Sequence, residues 1–196
     1  ITLYTNGKAQ GTITNSSTLG YANPAINRNG GGYASKWYMS NLRVVKGTAV
    51  YTSNFTPSTT SLTAISGTSL LTLQSNRFID NSSNSLTPTI TGTPTVQSFH
   101  PISAPTGYYP AVNGGGGYFD GSGDYLSVAN SANLDIGSSS FTLECWLYIT
   151  ASGNYYGIYE RGGGAGSWST SNGVQFSLSV LNTGPVTWEW NVGGSS

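Results

Sequence analysis

The acidic residues of this chain decide whether it could hydrolyse a polysaccharide, because that chemistry uses paired carboxylates. A retaining glycosidase needs two carboxyl groups about 5–5.5 Å apart, one acting as nucleophile and the other as acid and base. On a strand, such a pair usually appears as acids at alternate positions. Glu144 and Glu189 are instead each isolated, and only a meeting of Glu160 with Glu189 across strands would supply a pair. The sequence therefore predicts that the chain is not an enzyme.

Two further acids flank a Gly-Ser-Gly turn, where Asp120 and Asp124 are predicted to accept hydrogen bonds from nearby backbone N–H groups. The alternative is a calcium ion held by aspartate and loop carbonyl oxygens. No D-x-D-x-D cluster supports calcium here, so no cofactor is predicted. The only histidine, His100, stands beside Pro101, and the sequence indicates no partner with which it could form a triad.

Aromatic residues in polar loops are the candidates for binding, since sugars stack on aromatic rings while amides and carboxylates hold their hydroxyl groups. The sequence predicts carbohydrate binding by Tyr155, Tyr156 and Trp168, the last within SWSTSN. An aromatic residue in an all-β protein belongs more often to the core, which is the alternative for these three. Three other tryptophans are interpreted as packing residues or as contacts with a neighbouring copy: Trp146, Trp188 and Trp190.

Composition limits the class of protein and of partner. Charged residues make up 7% of the 196 residues and the formal net charge is zero, so no attraction to nucleic acid is expected. Aromatic residues reach 12%, which argues against disorder. No apolar run is long enough to cross a membrane, so no membrane insertion is predicted.

The charges are divided unevenly along the chain. The first hundred residues hold six bases against Asp80, namely Lys8, Arg28, Lys36, Arg43, Lys46 and Arg77. The remainder holds Arg161 against six acids, namely Asp120, Asp124, Asp135, Glu144, Glu160 and Glu189. The two halves could attract each other within one domain or between copies, or the asymmetry could be accidental.

Period-two alternation predicts strands throughout, and no helical pattern is present. In FTLECWLYI, one face carries apolar residues and Cys145, which is therefore interpreted as a core residue rather than a reactive thiol. VQFSLSV and VTWEWNV alternate in the same way. Asn6-Gly7 predicts a hairpin turn, and TITGTPTVQ (89–97) predicts an edge strand. The fold class predicted is all-β, an antiparallel two-sheet sandwich.

Several motifs resemble the laminin-G-like, concanavalin-A-like jelly rolls. YFDGSGDYLSVANSANLDIGSSSFTLECWLYIT (118–150) is similar to the opening of that family, and ITLYTNG (1–7) to a middle strand and turn. NLRVVKGTAVYTSNFTP (41–57) is similar to its closing strand and tail. With FIDNSSNSLTPTITGTPTV (78–96), this resembles a subgroup frequent in tail and appendage proteins of marine bacterial viruses. The resemblance implies a jelly roll.

The order of these motifs is inverted relative to the family. Residues 1–97 resemble the C-terminal part of a laminin-G-like jelly roll, 98–117 are predicted to form a linker, and 118–196 resemble the N-terminal part. The chain is thus either two half-domains from tandem repeats or one circular permutation, and the missing central strand of the family favours the former. Because it begins with Ile inside a predicted strand, it is expected to come from a longer polypeptide.

The resemblance implies a non-catalytic structural or adhesive module of a phage virion, in a tail fibre, appendage or decoration. Its partners would be other copies, other virion or surface subunits, or host cell-surface polysaccharide, and its location the virion or the extracellular space. The alternative is a repeat of a secreted bacterial surface adhesin with lectin-like carbohydrate binding.

Overall fold

The computed structural model describes residues 1–14, 23–28, 35–97, 115–150, 155–161, 176–181 and 187–192, and for 155–156, 176–181 and 187–192 it describes the backbone alone. The strands in these residues are β1 (Thr2–Thr5), β2 (Lys8–Thr12), β3 (Ala25–Ile26), β4 (Lys36–Lys46), β5 (Thr68–Thr72), β6 (Pro88–Thr91), β7 (Thr95–Gln97), β8 (Gly116–Asp120), β9 (Tyr125–Val128), β10 (Phe141–Ile149), β11 (Tyr155–Arg161), β12 (Phe176–Leu181) and β13 (Thr187–Val192). The only helical element among the described residues is one 3₁₀ turn, Ala132–Leu134. The all-β prediction is confirmed for this part of the chain.

Strands β1 and β2 form the hairpin that Asn6-Gly7 predicted. Thr5 pairs with Lys8, and the two turn residues have φ of 50° and 74°, the left-handed region that Asn and Gly tolerate. A Cβ atom on Gly7 would lie 1.9 Å from the carbonyl oxygen of Phe55. The turn therefore packs closely against the backbone at Phe55, and only glycine leaves room for this contact. The Phe55 N–H also donates to the Gly7 carbonyl oxygen, at 2.9 Å.

A five-stranded antiparallel sheet is arranged around β4. Its order is β10-β4-β8-β7. On the side of β4 away from β10, β8 pairs with the first part of β4 and β5 pairs with its later part. The change of neighbour occurs at Asn41, where the register with β10 also shifts. Asn41 has φ of 55°, and its N–H donates to the Leu73 carbonyl oxygen at 2.8 Å. Here β4 contains a β-bulge.

The bulge changes which residues of β4 face the core. Before it, Trp37 and Met39 are fully buried; after it, Leu42 and Val44 are. The inward positions therefore change from odd to even numbers. Strand β10 keeps one parity throughout, with its apolar face and Cys145 packed against the core as predicted. Cys145 is half-buried, and the desolvation of its thiol against the core raises its pKa to about 12, with a smaller contribution from the charge of Glu144.

The second large sheet is antiparallel, with six strands in the order β13-β12-β11-β3-β9-β6. Strand β12 overlaps the predicted segment VQFSLSV and extends one residue beyond it, to Leu181, and β13 lies within VTWEWNV. Only Ala25 and Ile26 form β3, yet this short strand joins β11 to β9.

Both large sheets contribute to one apolar core, as in a β-sandwich. Fourteen buried residues form the cluster: Ile26, Trp37, Met39, Leu42, Val44, Leu70, Leu73, Phe119, Leu126, Val128, Leu134, Ile136, Ile158 and Tyr159. Fully burying one such aliphatic or aromatic side chain contributes about 1.5–3 kcal/mol. The predicted sandwich-like, all-β architecture thus has a core that draws on β3, β9 and β11 on one side and β4, β5 and β8 on the other.

The predicted edge strand 89–97 is present as two strands, not one. β6 ends the six-stranded sheet and β7 ends the five-stranded sheet. Between them Gly92 has φ of 77°, and the Thr93 N–H donates to Asp124 Oδ1 at 2.5 Å. Because a β-carbon on Gly92 would lie 2.2 Å from that oxygen, glycine is required for the chain to cross between sheets here.

Strands from before and after the predicted linker share both large sheets. β4 pairs with β8 and β10, and β3 pairs with β9 and β11. β8 begins at Gly116, so it includes the last two residues of the predicted linker, whereas 98–114 lie outside the described residues. The assignment of the two parts to different family segments stays a prediction.

Candidate functional site

The outer face of the five-stranded sheet is divided into a covered half and an open half. The segment 47–66 crosses the half that follows the bulge, where the Val50 N–H donates to Thr142 Oγ1 and the Leu62 N–H to Asn41 Oδ1, at 2.8 and 2.7 Å. Val45 is consequently fully buried although it faces away from the core. Among the described residues, no hydrogen bond from segment 47–66 reaches the half that precedes the bulge, and this half is here called the open half.

Under segment 47–66, Glu144 is held by two partners. Its Oε1 accepts a hydrogen bond from Arg43 Nε at 2.7 Å, and its Oε2 accepts one from the Tyr51 hydroxyl at 2.8 Å. Burial raises the pKa of Tyr51 to about 12, and the hydrogen bond to Glu144 adds to the rise. Tyr51 also stacks on Phe55, with 3.6 Å between ring centroids. Glu144 of β10 therefore connects segment 47–66 to the sheet through its hydrogen bond with Tyr51.

On the open half, three tyrosines stand side by side across the strands. Tyr148 of β10 is opposite Tyr38 of β4, and Tyr38 is opposite Tyr118 of β8. Directly opposed residues share a face, so these side chains form one line, here named the tyrosine row. Thr95 of β7 is opposite Tyr118 and extends the line to the edge of the sheet.

The rings of the tyrosine row touch but do not lie in one plane. The centroids of Tyr38 and Tyr118 are 4.8 Å apart with 41° between the ring planes, and those of Tyr38 and Tyr148 are 6.2 Å apart with 53°. Tyr148 is 55% exposed, and the other two are half-buried. Tyr148 is thus the most exposed member of the row, and each ring is turned relative to the next.

Polar groups flank the tyrosine row on both sides, because every second residue along a strand returns to the same face. On one side lie Lys36 and Asp120, which oppose each other and are both exposed. On the other side lie Trp146, opposite Ser40, and the exposed Gln97, whose Nε2 donates to Thr95 Oγ1 at 3.0 Å. An amine, a carboxylate, an amide and a hydroxyl therefore border the aromatic surface.

The residues that the sequence singled out for carbohydrate binding are in another part of the molecule. Tyr155 and Tyr156 begin β11, in the six-stranded sheet, where only their backbone is described. Trp168 and His100 lie outside the described residues. A binding role for Tyr155, Tyr156 and Trp168 stays a prediction. Of the interpreted tryptophans, Trp146 stands on the open face, while Trp188 and Trp190 are described by backbone alone.

The aspartates near the Gly-Ser-Gly turn make the predicted backbone contacts. Asp124 is fully buried, and its two carboxylate oxygens accept from the N–H groups of Thr93 and Asp120. Asp120 Oδ1 accepts from the Ser122 N–H at 2.7 Å. In the part of the chain that is described, no three His, Cys, Asp or Glu residues are grouped as metal ligands. The aspartates organise the turn.

The remaining acids are spread over different strands. Glu160 of β11 is opposite Ser177 and Glu189 of β13 is opposite Ser179, so β12 lies between the two glutamates. Glu160 is 3.9 Å from Arg28, measured from Oε1 to Nε. Burial raises the Glu160 pKa to about 7, and the charge of Arg28 opposes the rise.

Among the residues whose side chains are described, two ion pairs connect the oppositely charged halves of the sequence within one chain. They are Arg28 with Glu160 and Arg43 with Glu144. A third ion pair lies within the second half, between the buried Arg161 and Asp135. Both contacts lie inside one molecule, as one of the alternatives left by the charge pattern predicts.

The sequence located only one member of the tyrosine row correctly, by placing Tyr148 on the outer face of FTLECWLYI. Tyr38 and Tyr118 became candidates only once the pairing of β4 with β8 and β10 was known. No helix in the described residues is long and apolar enough to cross a membrane. No protein-family model, curated protein or solved structure matches this chain.

Proposed function

We propose that this chain is a non-catalytic binding module and that the tyrosine row is its contact surface. The observation that carries the proposal is the exposure of Tyr148, 55%, at the end of a line of three aromatic residues on the outer face of the five-stranded sheet. Aromatic side chains provide large contact areas at low conformational cost and are enriched at binding surfaces. Glu144 serves segment 47–66 and the buried aspartates serve turns, which supports binding over catalysis.

The finer fold assignment is a laminin-G-like, concanavalin-A-like jelly roll. It is supported by the FDG, GDYL and FTLECW motifs and by two antiparallel sheets around one core. The inverted motif order, together with strands from both segments in the same sheets, is what a circular permutation would produce. Two half-domains from neighbouring repeats that pair within one chain are the alternative form of the same proposal.

The biological setting proposed is a phage virion, in which the module belongs to a tail fibre, appendage or decoration. The similarity of residues 41–57 and 78–96 to such proteins supports this. Its partners there would be host-surface glycans or neighbouring subunits. A repeat of a secreted bacterial surface adhesin is the second candidate. Antibodies to this chain should label purified virions in the first case and the bacterial surface in the second.

The binding function is tested by incubating the purified protein with bacterial cells and measuring how much of it the cells retain. We expect the protein to be retained on these cells, and retention to fall when Tyr148 is replaced by Ala. Ile90→Ala is the matched control, because Ile90 is 51% exposed but belongs to β6 of the other sheet. Equal retention of both variants would contradict the proposal. Release of reducing ends from cell polysaccharide, abolished by Glu160→Gln, would contradict its non-catalytic part.

A further inference from the structure

We infer that the edge of β10 that faces away from β4 is a docking site for an extended β-strand of another protein subunit. The strand pairs antiparallel with β10 and widens the five-stranded sheet. This site goes beyond the proposed function, because it binds through the backbone of β10 and not through the tyrosine row. Three features support it: the direction of the backbone groups of β10, the partial burial of its core residues and the greater width of the other sheet.

Alternate residues of β10 direct their backbone N–H and C=O groups away from β4. Near one end of β10 the Thr150 N–H donates to the Lys36 carbonyl oxygen, and near the other the Gly47 N–H donates to the Ser140 carbonyl oxygen. Bonded and non-bonded pairs alternate in an antiparallel ladder, so the even-numbered residues of β10 bond to β4 and the odd-numbered residues face the opposite edge. Among the described residues, β4 is the only strand that pairs with β10.

The core-facing residues of β10 are covered less completely than the residues opposite them in β4. Leu143 and Leu147 are partly buried, whereas the opposed Val44 and Met39 are fully buried. Ile149, farther along the same face, is also only partly buried. A strand beside β10 removes this apolar surface from water, which favours its binding.

The five-stranded sheet is narrower than the other sheet on the side of β10. Strands β6 and β7, which residues 92–94 connect, end the two sheets on one side of the sandwich, so β10 and β13 end them on the other. Because β5 and β8 share one side of β4, the described five-stranded sheet is four strands wide, against six in the other sheet. The core face of the wider sheet continues from Tyr159 to the opposed Leu178 of β12 and Trp190 of β13. A strand added to β10 extends the narrower sheet over this continuation.

The edge of β10 lacks the features that prevent strand pairing, and its charge is already neutralised. Strand β6 has four residues and begins at Pro88, and β7 has only three residues. Short edge strands and proline hinder pairing with another chain, whereas β10 has nine residues without proline, glycine or lysine. Its one charged residue, Glu144, is paired with Arg43. The docking strand is therefore uncharged, with apolar residues on the face that it turns to the core.

The probe is a synthetic peptide as long as β10, with alternating valine and threonine and blocked ends. Residue-resolved amide exchange of the full chain is measured by NMR with and without it. With the peptide at about ten times its dissociation constant, exchange at Leu143, Leu147 and Ile149 should slow about tenfold, because only the free protein exchanges. Exchange at Glu144 and Tyr148 should stay unchanged, since their N–H groups already bond to β4.

Two N-methylated peptides are matched controls. Directly opposed residues share a face, so valines on the core face are opposite the odd-numbered residues of β10 and bond to them. Methyl groups on the valine nitrogens should therefore weaken binding at least about tenfold, because several hydrogen bonds are lost together. Methyl groups on the threonine nitrogens lie on the far edge and should leave binding nearly unchanged. Equal binding of the two methylated peptides would overturn the inference.

The protein without peptide separates the other occupants of this edge. We expect fast exchange at Leu143, Leu147 and Ile149 at every protein concentration. Protection of these amides that increases with protein concentration would make a second copy of the chain the occupant. Protection that is independent of concentration would show that the chain covers its own edge. Either result would overturn the inference of a strand from another subunit.

Discussion

Asp124 is fully buried, and both of its carboxylate oxygens accept hydrogen bonds from backbone N–H groups on different segments. The sequence predicted one of these two hydrogen bonds, the turn contact with the Asp120 N–H, because Asp120 and Asp124 are only four positions apart. It did not predict the contact with Thr93, which arises only when β9 lies beside β6. Asp80 similarly accepts from the N–H groups of Leu71, Ser82 and Leu86.

Replacement of Asp124 should therefore lower stability more than replacement of Asp120. Asp124→Asn leaves the carboxamide with one oxygen, so the N–H group of Thr93 or of Asp120 loses its part-buried bond to a charged acceptor, at a cost of about 1–3 kcal/mol. Asp120→Asn is the control, because its turn contact with Ser122 is exposed and can be replaced by water. Urea denaturation measures both. Equal losses for the two variants would show that the cross-segment contact of Asp124 is unimportant.

Glu160 makes the stability of the protein depend on pH. Its pKa is about 7 in the folded chain and 4.5 when unperturbed. Between these values the folded chain binds more protons than the unfolded chain, so the free energy of unfolding falls as the pH rises. The loss is at most about 3 kcal/mol, since each pKa unit corresponds to about 1.4 kcal/mol, and it is complete only when the pH has risen through the folded-state pKa of about 7.

Denaturation across this pH range tests the expectation. Glu160→Gln should flatten the pH dependence, because the carboxamide does not titrate. Ile90→Ala removes no titratable group and should leave the dependence unchanged. Parallel pH profiles for the original protein and Glu160→Gln would assign the effect to another group.

At the scale of elements, β10 was predictable and β4 was not. FTLECWLYI keeps one alternation from end to end, so its bounds and its core face follow from the residue types. In β4, the bulge at Asn41 interrupts the alternation of core-facing and outward-facing residues. The residue types of KWYMSNLRVVK do not show where such a bulge lies. The tyrosine row was missed for the same reason, since it depends on which residues of β4, β8 and β10 are opposed.

Substitutions at Asn41 test whether the bulge is held by backbone conformation or by side-chain bonds. Asn41→Gly keeps the φ of 55° without strain but removes the bond from the Leu62 N–H, so we expect a loss of about 1 kcal/mol. Asn41→Val also forces a β-branched residue into the left-handed region and should cost about 2–4 kcal/mol. Thermal and urea unfolding measure the difference.

Asn6 provides the matched control, because it has nearly the same φ, 50°, in an exposed turn. Asn6→Val reports the conformational strain without the loss of buried hydrogen bonds. It should therefore cost less than Asn41→Val. If the two valine variants lose equal stability, strain alone accounts for Asn41 and its side-chain bonds contribute nothing.

For the whole molecule, the charge asymmetry was the best long-range signal in the sequence. Basic residues before residue 98 and acids after residue 117 meet in the pairs Arg28–Glu160 and Arg43–Glu144. The asymmetry indicated attraction but could not distinguish one molecule from two. The sheet order makes this distinction, because β4 lies between β10 and β8, and β3 between β11 and β9.

This arrangement predicts that the two parts of the chain remain together after the connection between them is cut. A protease site inserted within residues 98–114 would separate β1–β7 from β8–β13 covalently. The fragments still share two sheets, the common core and two ion pairs, so they should elute as one species in native size-exclusion chromatography and separate only in denaturant. Produced alone, the fragment β1–β7 lacks both neighbours of β3, and its β4 keeps β5 but loses β8 and β10. The fragment β8–β13 lacks β3 and β4, which join its strands. Each fragment alone should therefore be unfolded or aggregated. When the two unfolded fragments are mixed during refolding, they should recover the elution position of the uncut protein. Two half-domains that fold independently would instead elute as separate folded species after cleavage, and that result would remove the support for a permuted single unit.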